Sequence, residues 1–327
     1  MIHNLASSLS RRALLVGTAA LGLVGPAAAQ RRPQRLNVVA TVAMVGDMVA
    51  RVGGERVRVT NLMGEGVDPH TYRQTRADMN RLAAADMIFW NGLYLEAQLE
   101  RVLQDFARRK PVVAIGELLP RDRLLADPEF QGRFDPHVWM EPALWSRAVE
   151  AIRDALITRD PQGADTFRAN AAAVLAELER LDAYARRIFA TVPERSRVLV
   201  TAHDAFSYMG RAYGLEVHGI QGLSTESEAG VREIQRLVDL LVERRIQAVF
   251  VETSVADRNV RALIEGAAAR GHIVQIGGEL FSDALGKPGT YEGTLIGMLD
   301  HNFTTIVRAL GGDAPERGMQ GRLGAGS

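Results

Sequence analysis

Short β-branched runs that alternate with helical stretches predict an α/β protein, and one long uninterrupted amphipathic segment breaks that alternation in mid-chain. Strand–helix alternation lays parallel strands side by side with helices over both faces. At 327 residues the chain also exceeds the size at which one core stops growing, roughly 250–300 residues. The fold class that follows is α/β with two lobes, each a mostly parallel sheet covered by helices, joined by one long backbone helix.

Residues 1–29 stand apart from this fold. Ser10-Arg11-Arg12 is a basic start, residues 13–24 are an apolar run, and Ala27-Ala28-Ala29 offers a small-residue cleavage pattern before Gln30. A run of that length makes a helix of only ~18 Å, against a bilayer core of ~30 Å. The segment reads as an export signal, and its arginine pair has the look of a twin-arginine signal. The chain has no cysteine, so no lipid anchor, thiolate nucleophile or disulfide framework is expected. The expectation is a protein exported to the periplasm.

The N-terminal lobe is assigned to residues 30–160. Residues 36–40, 57–62, 87–90 and 111–115 read as strands, and residues 42–52, 75–85 and 93–108 as the helices between them. Residues 116–136 contain Pro120, Asp127-Pro128 and Gly132 and read as loop, followed by a helix over 142–157. Asp160-Pro161 suits an N-cap and first helical residue. From residue 165 to 190 there is no Gly or Pro. Phe167, Ala171, Val174, Leu178, Leu181, Ala185 and Ile188 recur at helical spacing until Pro193. This helix of ~39 Å lies within a connecting segment, residues 161–193. The C-terminal lobe, residues 194–312, has strands predicted at 197–201, 215–220, 248–252 and 273–276. Its helices are predicted at 205–213, 226–245, 257–270 and 291–310. Residues 313–327, rich in Gly and Arg, read as a loose tail.

Composition narrows the function. Net charge is zero, with 47% hydrophobic and 24% charged residues, a balance that does not point to nucleic acid or an anionic membrane surface. Asp68-Pro69-His70 and Asp135-Pro136-His137 repeat one phrase in which an imidazole follows a proline turn. His203 ends the apolar run Val198-Leu199-Val200-Thr201-Ala202, and Asp283 follows Ile273-Val274-Gln275-Ile276. Ligands of open α/β sheets gather beyond the carboxyl ends of strands. If the fold joins them, His70, His137, His203 and Asp283 make a divalent transition-metal site. Asp68 and Asp135 suit Asx turns better than imidazole orientation. His218, His272 and His301 lack a partner motif and are assigned structural roles, as are Glu252 and Glu279.

The stretches Gly66-Val67-Asp68-Pro69-His70-Thr71-Tyr72, Asp135-Pro136-His137-Val138-Trp139 and Thr201-Ala202-His203-Asp204-Ala205-Phe206 resemble the manganese/zinc/iron receptors of bacterial ABC importers. So do Val251-Glu252-Thr253-Ser254 and the run from Gly277 to Leu285, in the same order along the chain. The resemblance implies metal held between two lobes and delivered to an ABC-transporter permease and its ATPase by a monomeric receptor. It also carries the ligand role to His70, His137, His203 and Asp283.

The chain departs from that family at three points. Tyr72-Arg73-Gln74-Thr75 replaces a common Tyr-Glu-Pro-Thr. Many manganese receptors have Glu where His203 stands. Zinc-dedicated members often carry a His-rich loop, and residues 116–136 contain no such run. Three nitrogens and one oxygen suit Zn²⁺, whereas a bidentate Asp283 accommodates Mn²⁺, so the ion expected is Mn²⁺ or Zn²⁺, one per chain. The residues leave two other readings open: a zinc-dependent hydrolase, which needs an open coordination position and a base, and a receptor for a metal chelate.

Overall fold

The computed structural model describes residues 35–324. The expected export signal and residues 325–327 lie outside the described residues. Strands β1 (Leu36–Ala40), β2 (Val57–Asn61), β3 (Met87–Trp90) and β4 (Val112–Ala114) form a parallel sheet in the order β2-β1-β3-β4. Helices α1 (Ala43–Gly53), α2 (Arg76–Ala84) and α3 (Glu100–Ala107) make the crossovers. The inner strands β1 and β3 are covered on both sides, which is why they read as nearly continuous apolar runs. Helix α2 starts with a reciprocal cap: Thr75 Oγ1 accepts from Asp78 N at 3.2 Å, and Asp78 Oδ2 accepts from Thr75 N at 2.8 Å.

Helix α3 is shorter than the predicted 93–108. Leu93 and Tyr94 adopt left-handed backbone, with φ of 54° and 66°. The cause is Glu96, which is buried and folds back to accept from Asn91 N at 2.8 Å, Gly92 N at 3.1 Å and Thr41 Oγ1 at 2.5 Å. These bonds satisfy the loop's amides in a conformation that a helix cannot share.

Helix α4 (Pro142–Arg159) is followed by the short turn Pro161–Gly163 and then by α5 (Ala164–Phe189). Asp160 does not cap α5 with its side chain. Its two oxygens accept from Arg56 at 2.7 and 3.0 Å instead, a bidentate pair stronger than a cap bond. Helix α5 has 26 residues, and the predicted stripe from Phe167 to Ile188 is its buried face. It packs against α1 and α4 and, further along, against α9 (Leu295–Ala309). One apolar core therefore runs from the first sheet across α5 to α9.

The second block contributes β5 (Val198–His203), β6 (Glu216–Gln221), β7 (Ala248–Glu252) and β8 (Gln275–Leu280), hydrogen-bonded as the parallel pairs β5-β6 and β7-β8, with β5 packed beside β7. Helices α6 (Ser207–Tyr213), α7 (Val231–Glu243) and α8 (Arg258–Ala269) connect them. Val198, Val200 and Ala202 enter a second core with α7 and α8, while Leu199 joins the first core. The two-residue period of a strand thus turns Thr201 and His203 away from the second core.

Strand β8 begins two residues later than predicted and runs on through Gly277 and Gly278. These glycines suggest a break in sequence, but they mark a close approach. A Cβ on Gly278 would stand 2.4 Å from Thr305 Cγ2, and one on Gly277 would stand 3.0 Å from Ala309 Cβ, both on α9. Helix α7 starts later than predicted because Gln221 Nε2 takes the Ser227 carbonyl at 2.9 Å. Residues 313–324 lie over α9, where Met319 N donates to the buried Asp300 at 2.8 Å and Leu323 is buried. Gly and Arg content gave no sign of these ties. Among the described residues, no helix is long and apolar enough to cross a membrane.

Replacing Glu96 with Ala leaves two amides and a hydroxyl unpaired in the core. Each unpaired group costs about 1–3 kcal/mol, so Glu96→Ala is expected to lose at least about 3 kcal/mol in urea unfolding. A loss below about 1 kcal/mol would show that Glu96 does not hold this loop.

Candidate metal centre

His70 lies in the loop after β2, His137 in the loop after β4, His203 at the last position of β5, and Asp283 just past β8. All four are buried, and one donor atom from each lies within 4.8 Å of the others. His137 Nε2 is 3.4 Å from His70 Nε2 and 3.3 Å from His203 Nε2. Asp283 places Oδ1 3.4 Å from His137 Nε2, and Oδ2 3.1 Å from His203 Nε2 and 3.7 Å from His70 Nε2. Donors about 2.0–2.1 Å from a common tetrahedral centre stand about 3.3 Å apart. The spacing of these four atoms fits a small divalent cation among them.

Each repeat of Asp-Pro-His folds as an Asx turn. Proline has no N–H, so the aspartate reaches the next amide: Asp68 Oδ1 accepts from His70 N at 2.9 Å, and Asp135 Oδ1 from His137 N at 2.9 Å. Beyond the turn the two copies diverge. Asp135 Oδ1 also holds His137 Nδ1 at 2.7 Å, so it orients the ring as well as the backbone. Asp68 turns its other oxygen to Thr71 Oγ1 at 3.0 Å and to Thr225 Oγ1, from the second block, at 2.6 Å.

Glu252, expected to be structural, is the counterpart of Asp135. It accepts from His203 N at 2.9 Å and holds His203 Nδ1 at 2.5 Å. The sequence signal for it was a carboxylate ending a buried strand beside the strand that ends in a histidine. With Nδ1 bound to a carboxylate, the Nε2 atoms of His137 and His203 turn inward. The other histidines serve elsewhere: His218 pairs with Glu216 at 2.8 Å, while His272 and His301 bond the carbonyls of Ile246 and Glu279 at 2.6 and 2.9 Å.

Burial opposes charge on every imidazole here. At His70 it prevails over the pull of Asp283, and the pKa falls to about 3. At His137 the Asp135 and Asp283 carboxylates outweigh burial and raise the pKa to about 9. His203 is raised well above 6.5, burial again being outweighed, here by Glu252 and Asp283. Burial would raise Asp283, yet His203 and His137 hold it well below the usual carboxylate range.

A buried set of imidazoles facing one carboxylate is a feature that sequence comparison can place. The family model described as ZnuA, zinc-uptake complex component A periplasmic, matches residues 38–309. The chain belongs to this family. Its members are metal-binding components of importers, and the chain is a receptor and not an enzyme.

Relatives and solved structures agree with that placement. The manganese-binding lipoprotein MntA of Bacillus subtilis is 47% identical over 300 residues, covering 91% of this chain and 97% of the relative. The solved periplasmic zinc-binding protein TroA from Treponema pallidum is 45% identical with a TM-score of 0.82, over 84% of this chain and 99% of that one. The Fe(III)-bound YtgA from Chlamydia trachomatis is 30% identical with a TM-score of 0.78, over 86% and 100%. These matches bear out the α/β architecture and the receptor class. The expected absence of a lipid anchor is not borne out, since the Bacillus relative is a lipoprotein.

The electrostatics moves the pH dependence upward from the ordinary imidazole range. At pH 7, below the raised pKa values of His137 and His203, both rings carry an extra proton that an arriving cation must displace. Affinity therefore rises with pH through neutrality as these two rings lose their protons. Calorimetry at pH 7 in buffers of different ionisation enthalpy should show about two protons released per ion, one from each ring. Heats that do not depend on the buffer would contradict this assignment.

Proposed function

We propose that this protein captures one divalent transition-metal ion, Mn²⁺ or Zn²⁺, outside the cytoplasmic membrane and delivers it to the permease of an ABC importer, driven by that importer's ATPase. His70, His137, His203 and Asp283 are the ligands. The observation that carries the reading is their convergence: four buried donors from three loops and one strand end, two from each block, meet within 4.8 Å. Residues 1–29 serve as the export signal, with cleavage near Ala29 and the periplasm as destination. Residues 30–160 and 194–312 act as lobes, 161–193 as the connector, and 313–327 as the tail of a monomer.

Four protein ligands favour a carrier over a catalyst. A hydrolytic metal keeps one position open and has a base beside it. The two nearby carboxylates are engaged here, Asp135 with His137 and Glu252 with His203. The relatives bind manganese, zinc and iron by their names, so membership in the family does not select the ion. The set of three nitrogens and one oxygen suits Zn²⁺, and both Asp283 oxygens face imidazoles, as a bidentate carboxylate on Mn²⁺ requires.

Access fits the same reading. His70 alone of the four borders a crevice of about 580 Å³, which Tyr94, Glu129, Phe130, Gln221 and Glu226 also line. An ion enters past His70, whose ring is neutral at pH 7 and takes a cation without first losing a proton. The continuous core across α5 opposes large lobe rotations, so release falls to the ligand loops.

His203→Ala removes one donor and leaves Asp283 and Glu252 without their imidazole. Competition titration should show at least about a hundredfold weaker Zn²⁺ and Mn²⁺ binding; wild-type affinity in this variant would remove His203 from the site. Glu252→Gln keeps the shape of the side chain but drops the charge that orients His203. An affinity loss of about tenfold is expected, with circular dichroism unchanged. Equal affinities would leave Glu252 with no part in holding the ion.

A further inference from the structure

Trp139 lies two residues beyond His137, fully buried in the short turn Val138–Met140. Its ring meets the His137 ring nearly edge-on, at 5.4 Å between centroids and 68° between planes. Its indole Nε1–H donates to the carbonyl oxygen of Ser282 at 3.0 Å. Ser282 directly precedes Asp283. One side chain from the first block thus packs on one ligand and holds the backbone next to another in the second block.

Asp283 depends on such a tie more than the other ligands do. His137 and His203 each have a ring nitrogen fixed by a carboxylate. Outside the ligand cluster itself neither oxygen of Asp283 has a hydrogen-bond partner among the described residues; the groups within reach are the Nε2 atoms of His137 and His203. Its carboxylate is therefore aimed by the path of its backbone. Three anchors set that path. Asn302 brackets Phe281, accepting from its N at 3.0 Å and donating to its O at 2.7 Å. Ser254 Oγ bonds Ser282 Oγ at 2.9 Å. Both lie in the same block as Asp283. Trp139 is the anchor that comes from the other block, and it fixes where Asp283 stands relative to His137.

We propose that Trp139 is a positioning residue for the ion: its indole N–H sets the separation of the His137 and Asp283 loops, and with it the affinity and the rate of release. This rests on the proposed ligand set. The mechanism is the one by which outer hydrogen bonds tune metal sites, holding donors at the bonding distance before the ion arrives.

The core supplies an internal control. Trp145 is also fully buried and packs against Trp139 at 6.5 Å and 80°, but its Nε1 has no hydrogen-bond partner among the described residues. Trp145→Phe removes an indole from the same core without cutting a tie to a ligand loop. The test compares Trp139→Phe, Trp145→Phe and wild type for Zn²⁺ and Mn²⁺ affinity, for dissociation in a chelator chase, and for the visible spectrum of bound Co²⁺. A further variant, Trp139→β-(3-benzothienyl)alanine, exchanges the N–H for sulfur with the ring shape kept, and decides the matter if the Phe variant folds poorly.

Both Trp139 variants are expected to lose about tenfold or more in affinity, chiefly through faster release, with a shifted Co²⁺ spectrum. Trp145→Phe should stay within about twofold of wild type. Trp139 variants that match a metal-binding wild type, or a Trp145 variant that loses as much, overturn the proposal. A wild type that takes up no ion instead overturns the ligand set itself, a separate and recognisable result.

Discussion

Three imidazole nitrogens and a carboxylate are held within a few ångströms of one another where water does not reach. Such a cluster is costly to form, because buried polar groups without partners lose their solvation and lone pairs that face each other repel. The surrounding structure answers that cost point by point. Carboxylates fix two of the rings, Asx turns fix two of the backbones, and the loop of Asp283 is tied on three sides. A cation held by all four donors would stabilise the folded protein by mass action.

The scaffold beneath it joins the two blocks through their apolar interior. The apolar core that crosses α5 joins the first sheet to α9 without interruption, and Leu295 N of α9 is capped by Asp47 of α1 at 2.9 Å. The second core, under α7 and α8, stays within its own block. The blocks are thus joined by this core on the α5 side, and near the ion polar contacts such as Thr225 with Asp68 and Trp139 with Ser282 also cross between them.

Much of this was legible in the sequence, because periodicity and strand-end chemistry are local. The stripe along α5 and the strands of the first sheet follow from spacing, strand-end chemistry marked the four side chains as candidates, and the family resemblance implied that they act as one ligand set. What escaped the reading was set by partners distant in sequence. Glu96 shortens α3 by capturing amides behind it, Arg56 draws Asp160 away from the helix it would cap, and α9 presses on Gly277 and Gly278 so that a strand continues where a break was expected. Glu252 escaped for the same reason: its role exists only once β7 lies beside β5.

The two Asp-Pro-His turns share the same Asx hydrogen bond, yet the two carboxylates make different further contacts. In the second copy that carboxylate grips the ring of its own histidine; in the first it reaches across to a threonine on the other side of the crevice. The motif therefore behaves as a standard fitting with one adjustable contact. A protein engineer who wished to alter how tightly the ion is kept could leave both turns, all four ligands and the core intact. The contact that would then change is the one by which Asp68, two residues before a ligand, is tied to Thr225 of the second block.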